Sequence, residues 1–235
     1  MTNTPDSSDL LQIIAVLEAQ RSSLGDTVVD ASIAALRKQL AELEASPPDE
    51  QRKLVTVLFA DLAGFTALSE RMDPEEMREL QDAYFAAIAK PIEDYGGSVE
   101  KYIGDAVLAV FGVPETHEDD AERAVHAALA MQGALDNLNR RRASEGEETS
   151  PLRLRIGIHT GLVVSRVDED GDFVITGDTV NLASRLQSAA EPGMVLISAD
   201  VYKLVCHVFE TTDLGAIALK GRAEPVRGFS VAGPS

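Results

Sequence analysis

Two acidic side chains are the first candidates for a functional site in this chain. One follows an apolar, β-rich stretch and the other divides such a stretch in two. Asp61 ends the run at 54–60, and Asp105 lies at the tip of a predicted hairpin with strands over 98–102 and 106–111. A lone aspartate at a hairpin tip is usually a turn residue. Two aspartates on neighbouring strands can instead converge on one point. Such oxygen ligands suit Mg²⁺, which is commonly held by one or two carboxylates together with substrate phosphates.

Composition limits the partners that the chain can have. Its 235 residues carry a formal net charge of -18, so we do not expect a general nucleic-acid or anionic-membrane surface, since both need positive charge. The single cysteine, Cys206, excludes a disulfide framework and is interpreted as a buried apolar residue. No apolar run reaches membrane-spanning length, and residues 1–9 are polar rather than a signal peptide. We therefore expect a cytoplasmic protein with no membrane segment within this chain.

The first part of the chain, residues 1–46, predicts a helical appendage, and residues 47–51 predict a linker. Apolar residues at 10, 13, 14 and 17 share one helical face. Those at 33, 36, 40 and 43 repeat at alternating steps of three and four, as in a coiled coil. A helical hairpin that packs on itself and a dimerising stalk are both consistent with so short a pattern.

Residues 52–235 alternate strands and helices with hairpins between them, which is typical of an α+β sheet covered by helices on one side. Long helices are predicted over 73–95 and 118–141, and the first begins with Asp73 as its N-cap and Pro74 at its first position. The other predicted elements are strands at 152–165, 173–176, 194–198, 208–212, 216–220 and 227–231, and helices from about 177 and over 200–205.

Four motifs resemble those of the class III nucleotidyl cyclase catalytic domain, in the family's order. They are FADLAGFT at 59–66, EKYIGD at 100–105, RIGIHTG at 155–161 and GDTVNLASR at 177–185. The resemblance implies a ferredoxin-like, mainly antiparallel sheet with covering helices that works as a head-to-tail homodimer. Two active sites would lie at the interface, each built from both chains. The family converts a nucleoside triphosphate into its 3′,5′-cyclic monophosphate and pyrophosphate.

The resemblance also implies roles for four of these residues. Asp61 and Asp105 would hold two Mg²⁺ or Mn²⁺ ions, of which one can lower the pKa of the ribose 3′-hydroxyl and the other can neutralise the triphosphate. Asn181 would orient the ribose. Arg185, four residues later on the same helical face, would stabilise the charge that grows on the α-phosphoryl group.

Further residues resemble the family's substrate-binding groups. Lys101 stands where adenylyl cyclases carry the lysine that reads adenine, because an ammonium can donate to N1, whereas guanine presents an N–H there. Lys220 resembles the lysine that reaches the β- and γ-phosphates. Arg155 resembles a strand arginine near the phosphates, although a salt bridge at the sheet edge would explain it equally well. Phe65 and Thr66 lie at a predicted helix N-terminus, where backbone N–H groups could meet phosphate.

One position departs from the family's pattern. The second adenine reader is an Asp, Thr or Ser three residues before Gly177, and this chain has Val174 there. Three explanations remain open: a strand bulge that brings Thr176 to the base, a backbone carbonyl that reads the adenine amine, or loose base selection. The sequence therefore predicts an adenylate cyclase that converts ATP to cyclic AMP and pyrophosphate as a homodimer. A mixed ATP/GTP cyclase and a nucleotide-sensing module without turnover are the alternatives.

Overall fold

The computed structural model describes residues 7–19, 21, 25, 29–30, 32–38, 51–70, 72–145, 151–167 and 173–235. Contacts between Cα atoms divide the chain into two compact units, Met1–Glu50 and Gln51–Ser235. In the first unit, helix α1 covers Ser7–Ala19, and residues 29–30 and 32–38 are also helical. Positions 40 and 43 of the predicted seam and residues 47–50 of the predicted linker lie outside the described residues, so the domain boundary stays a prediction.

The second unit is a mostly antiparallel sheet with packed helices, which confirms the predicted fold class. Its strands are β1 (Gln51–Leu62), β2 (Ser98–Ile103), β3 (Ala106–Phe111), β4 (Leu154–Val167), β5 (Phe173–Thr176), β6 (Val195–Ser198), β7 (Phe209–Ile217) and β8 (Val226–Pro234). Its helices are α2 (Phe65–Ser69), α3 (Pro74–Asp94), α4 (Asp120–Ser144), α5 (Asp178–Ala189) and α6 (Ala199–Val205). The strand order is β2-β3-β1-β4-β6-β8-β7, with β5 paired to β4 and with β4 and β6 parallel. Within the described residues, no helix is both long enough and apolar enough to cross a bilayer.

Both faces of the sheet bury apolar side chains, because β1 is mostly apolar and fully buried over residues 55–60 and successive strand residues point to opposite faces. Leu58 faces a core that includes Ile88 of α3 and Met131 of α4. Phe59 faces a second core that includes Ala183 of α5. The expectation that helices cover only one side is therefore wrong, since α5 packs on the face opposite to α3 and α4.

The β2–β3 hairpin forms as predicted, with Gly104 and Asp105 as its two-residue turn. Gly104 has a φ of 65°, in the left-handed region that favours glycine. The register of β2 shifts between Val99 and Lys101, so Glu100 lies in a β-bulge. The turn therefore presents Asp105 at the end of the sheet where β1 also finishes.

Predictions for the helix start and for the last strands had different outcomes. The Asp73 side chain accepts a hydrogen bond from the Glu75 N–H at 3.0 Å and caps α3 as predicted. The separate strands predicted over 208–212 and 216–220 are wrong, because β7 continues through an irregularity near Gly215. Lys220 consequently follows β7 in a turn rather than ending a strand. Cys206 is exposed and not buried as expected.

Helix α5 lies directly against β4 because two residues of the strand have no side chain. A Cβ atom at Gly157 would lie 2.2 Å from the backbone N of Gln187 and 2.4 Å from the carbonyl O of Ala183. A Cβ atom at Gly161 would lie 2.6 Å from Oγ1 of Thr179, whose hydroxyl also donates to a backbone carbonyl of β4 at 2.7 Å. The strand glycines therefore fix the distance between α5 and the sheet.

This close packing predicts that Gly157→Ala is strongly destabilising. A methyl group there would push α5 away from β4, and we expect the free energy of unfolding to fall by about 3 kcal/mol. Gly133→Ala is the matched control, because Gly133 is exposed in α4 and a Cβ atom there meets nothing within 4 Å. It should raise stability by up to about 1 kcal/mol, since alanine favours a helix. Urea unfolding of both variants is the measurement, and wild-type stability for Gly157→Ala would contradict the packing argument.

Candidate active site

Asp61 and Asp105 come together because β1 and β3 are neighbours. The antiparallel register pairs Ala60 with Val107, so Asp61, the next residue of β1, lies beside the turn that precedes β3. The two side chains are close enough for Asp105 to affect the pKa of Asp61. Partial burial of Asp61, followed by its hydrogen bond to and repulsion from Asp105, raises the pKa of Asp61 to about 6.

Three side chains lie next to this pair of aspartates. The hydroxyl of the buried Tyr84, on α3, donates to the backbone carbonyl of Asp105 at 2.9 Å. Gln187 Nε2, on α5, donates to Oδ2 of Asp61 at 3.2 Å. Arg155 lies opposite Asp61 in the β1–β4 pairing, and its positive charge opposes the rise in the pKa of Asp61. Within the described part of the chain, the buried Nε of Arg155 has no hydrogen-bond partner.

The carboxylate pair fits a divalent cation. Two carboxylates that face each other at neutral pH repel, and a bound cation would remove that repulsion while accepting the hard oxygen ligands that Mg²⁺ and Mn²⁺ prefer. No group of three or more His, Cys, Asp or Glu side chains that could hold a metal occurs among the residues that the structure describes. The chain thus offers two carboxylates, and phosphate oxygens and water would complete the coordination, as they commonly do for Mg²⁺.

A second group of predicted site residues gathers around α5. Asn181 is exposed and Arg185 is half-buried, one helical turn apart. An Nη atom of Arg185 lies 3.6 Å from the position that a Cβ atom of Gly221 would occupy, directly after the exposed Lys220. Leu219 anchors this turn, because it is buried in a core cluster with residues of α5. The structure therefore brings Arg185 and the Lys220 turn together.

The carboxylate pair and Arg185 lie on different sides of α5. Gln187 reaches Asp61, whereas Arg185 lies against the turn at Gly221. Successive helical residues are turned by about 100°, so side chains two positions apart diverge by about 200°. Within one chain, the structure thus directs Arg185 away from the side on which the helix contacts Asp61.

Lys101 is paired with its sequence neighbour. Its Nζ lies 3.3 Å from Oε1 of Glu100, whose side chain is only 6% exposed, whereas that of Lys101 is 50% exposed. The second carboxylate oxygen of Glu100 is buried without a hydrogen-bond partner in the described part of the chain. The β2 bulge brings these consecutive side chains into contact, although successive residues of a regular strand point to opposite faces.

The region around Val174 needs no bulge. Strand β5 pairs with β4 in continuous register from Phe173 to Thr176. Alternate residues of a strand share a face, so Thr176 already points to the same side as Val174. The strand bulge, one of the three explanations offered for Val174, is therefore not present in the β4–β5 pairing. Thr176 is exposed and Val174 is half-buried.

The last two predicted binding residues lie in α2. Phe65 is partly buried and packs against the main core, so its ring serves the fold, while the side chain of Thr66 lies outside the described residues. Sequence reasoning missed Tyr84 and Gln187. Each is a polar residue within a helix that looks like core or surface until the tertiary contact is known, and the sequence holds no local signal for either contact.

The raised pKa of Asp61 predicts that the metal-free fold loses stability as pH rises. A carboxyl group with a pKa near 6 in the fold and 3.8 in the open chain ionises more readily when unfolded, so the cost is absent below about pH 4 and complete above about pH 6. We expect Asp61→Asn to raise the free energy of unfolding at pH 8 by about 1 kcal/mol, after allowance for solvent screening. Thermal unfolding in EDTA at pH 8 and pH 4 is the measurement.

The control for this experiment is Asp94→Asn. Asp94 is an exposed carboxylate that pairs with Lys90 at 2.6 Å, so removing its charge should bring no gain in stability at pH 8. An equal effect of Asp61→Asn at both pH values would contradict the repulsion between Asp61 and Asp105.

Comparison with known sequences identifies the family. Residues 48–233 match the family model described as the adenylate and guanylate cyclase catalytic domain. An adenylate cyclase of Anabaena cylindrica is 33% identical over 191 residues, which cover 75% of this chain and 36% of that protein. An adenylate cyclase of Mycobacterium tuberculosis is 28% identical over 216 residues, which cover 91% of this chain and 47% of that protein. The chain thus spans between a third and a half of the length of these relatives.

Solved structures give the same result. The adenylyl cyclase CyaB from P. aeruginosa is 39% identical with a TM-score of 0.74, over 78% of this chain and 96% of that one. The guanylyl cyclase Cya2 is 33% identical with a TM-score of 0.70, over 79% of this chain and 95% of that one. With the paired aspartates and the helix that carries Asn181 and Arg185 in place, these matches show that the chain belongs to the class III nucleotidyl cyclases.

Proposed function

We propose that this chain is an adenylyl cyclase that converts ATP into 3′,5′-cyclic AMP and pyrophosphate as a homodimer. In this reaction the ribose 3′-oxygen forms a bond to the α-phosphorus, the bond from that phosphorus to pyrophosphate breaks, and the hydroxyl proton is lost. The observation that carries the proposal is the strand register that places Asp61 of β1 beside the turn that holds Asp105, at one end of the sheet.

Asp61 and Asp105 would hold two Mg²⁺ or Mn²⁺ ions, whose chemistry when bound is to make the 3′-hydroxyl more acidic and to neutralise the triphosphate. The chain's own contribution is to bring both carboxylates to one end of the sheet. The charge of Arg155 and the amide of Gln187 favour the ionised form of Asp61, against the burial and repulsion that oppose it.

The basic residues would bind the negative charge of the substrate. Arg185 stabilises the α-phosphoryl group as charge builds on it, because a guanidinium is planar, always charged and donates several hydrogen bonds. Asn181, one turn earlier, orients the ribose. Lys220 lies in the turn next to Arg185, which supports a role on the β- and γ-phosphates. The unpartnered Nε of Arg155 supports its role as a further phosphate ligand.

The geometry of α5 supports a site shared between two chains. Gln187 and Arg185 leave opposite sides of the helix, so one chain offers its carboxylates in one direction and its transition-state groups in another. A head-to-tail homodimer would join the carboxylates of each chain to Asn181 and Arg185 of the other. Two equivalent sites would result, as a twofold axis requires.

Lys101 favours ATP, because its ammonium can donate to adenine N1 and not to the N–H of guanine. Thr176 is the proposed acceptor for the adenine amine, since its hydroxyl points to the same side of β5 as Val174. A mixed ATP/GTP cyclase is the second candidate. It is favoured by Val174, which cannot form a hydrogen bond with either base.

Identification of the product tests the reaction. Purified protein with Mn²⁺ and ATP should form cyclic AMP and pyrophosphate, and Asp105→Asn should reduce turnover at least about 100-fold while the fold stays intact. Asp94→Asn, an exposed carboxylate change, is the control. Mass spectrometry of the products from ATP and from GTP is the measurement. Equal yields of the two cyclic nucleotides would indicate a mixed cyclase, and binding without any product would indicate a sensing module.

Mixing two inactive variants tests the shared site. Asp61→Ala and Arg185→Ala should each be nearly inactive alone, because each damages both sites of a homodimer. Random pairing would give half heterodimers, each with one intact site, so the mixture should recover roughly a quarter of wild-type activity. Turnover is measured after the variants are co-expressed or exchanged. Absence of recovery, with dimers confirmed by sedimentation, would contradict the shared site.

A further inference from the structure

We propose that Gln187 is a positioning residue for Asp61, which acts within its own chain to hold that carboxylate beside Asp105 in the orientation that takes up a divalent cation. The inference rests on the proposed function, because it assumes that the two aspartates bind metal. It adds a residue outside the four motifs from which the sequence predicted the site, and it assigns a second task to the helix that carries Arg185.

The first support is the contact itself. Gln187 Nε2 donates to Oδ2 of Asp61 at 3.2 Å, between residues that are 126 positions apart. Gln187 is buried, with 6% of its surface exposed. The hydroxyl of Ser188 lies 3.4 Å from Oε1 of the same amide, but its single proton has a shorter acceptor in the backbone carbonyl of Ser184 at 3.0 Å, so the bond to Asp61 is the main polar contact of this side chain. A buried glutamine directed at a carboxylate in this way holds one oxygen of Asp61 in place.

The second support is the rigidity of the donor. The backbone N of Gln187 lies against the strand at Gly157, where a Cβ atom would approach it to 2.2 Å. Gly157 pairs with Phe59, and Arg155 pairs with Asp61. Phe59 and Asp61 are two residues apart on β1 and point to the same face, so the helix contacts the sheet next to the aspartate. The amide is therefore fixed relative to Asp61 by backbone contacts and not only by its own side chain.

The third support is the chemistry of an amide at this position. It donates a hydrogen bond without adding charge, so it can orient a carboxylate and leave its negative charge available to a cation. A lysine would neutralise Asp61 and compete with the metal, and a glutamate would add a third negative group beside Asp61 and Asp105. Groups that orient metal ligands in this way contribute about 10- to 100-fold to metal affinity.

A purely structural role of Gln187 is the competing explanation. The side chain could simply hold α5 on the sheet and thereby keep Arg185 in place. The two roles differ in the site that they serve. A positioning residue for Asp61 affects the site to which its own chain gives the aspartates, whereas a support for α5 affects the site to which its own chain gives Arg185.

The first experiment measures metal binding without turnover. Mn²⁺ is titrated into the nucleotide-free chain of 235 residues and followed by electron paramagnetic resonance. Gln187→Met, which keeps the length of the side chain and removes the donor, should weaken Mn²⁺ binding by about tenfold. The control is Gln132→Met, because Gln132 Nε2 donates at 3.3 Å to the backbone carbonyl of Leu154 and not to Asp61. Equal Mn²⁺ affinity of Gln187→Met and wild type, with similar melting temperatures, would overturn the proposal.

The second experiment places the change in one chain of a heterodimer. One chain carries Asp61→Ala and the other carries Arg185→Ala, so the single intact site takes its aspartates from the Arg185→Ala chain. Two different affinity tags isolate the heterodimer. Gln187→Met in the Arg185→Ala chain should lower turnover at least about tenfold more than the same change in the Asp61→Ala chain. The reverse order would assign Gln187 to the support of α5 and overturn the proposal.

The two experiments separate this inference from the proposed function. Heterodimers that show no turnover even with Gln187 intact would contradict the shared active site, and the Mn²⁺ titration would still decide the role of Gln187. Active heterodimers with no difference between the two placements would leave the cyclase assignment intact and reject the positioning role.

Discussion

The contact between α5 and β4 is the constraint on which the arrangement of this domain depends. Gly157 and Gly161 have no side chains, so the helix backbone rests on the strand itself. That position puts Gln187 within hydrogen-bonding distance of Asp61 and leaves Arg185 on the other side of the helix. A thicker strand surface would move both groups outward together, because they are carried by the same rigid helix.

The candidate site combines two neighbouring carboxylates with arginine side chains in a strongly acidic chain. The chain already carries a net charge of -18, and it also brings Asp61 and Asp105 close together. The raised pKa of Asp61 means that ionising this carboxylate lowers the stability of the metal-free fold at neutral pH. Proteins commonly accept such local instability at functional sites. Arg155 lies opposite Asp61 and Arg185 lies against the turn at Gly221, so on the proposed function local positive charge would meet a polyanionic substrate on a strongly acidic chain.

Local patterns predicted the parts of the fold that depend on local interactions. Strand-end aspartates, the Gly104–Asp105 turn and the Asp73 cap follow from turn and capping preferences that act over a few residues. The packing of α5 on the second face and the contact between Gln187 and Asp61 join distant segments, so no short pattern predicts them. The roles of the site residues came from the resemblance to the family, since composition and spacing alone pointed only to a pair of carboxylates.

The geometry of α5 favours a site that two chains share over a site within one chain. An α-helix turns its side chains by about 100° per residue, so a helix that gives Gln187 to Asp61 cannot also direct Arg185 to the same point. A single chain could unite the two groups only by unwinding α5, and the close contact at Gly157 opposes that. On the proposed function, association with a second copy would leave the helix intact and would complete two sites at once. A homodimer would then allow one rigid helix to serve the proposed metal ligands of one site and the proposed phosphate ligands of the other.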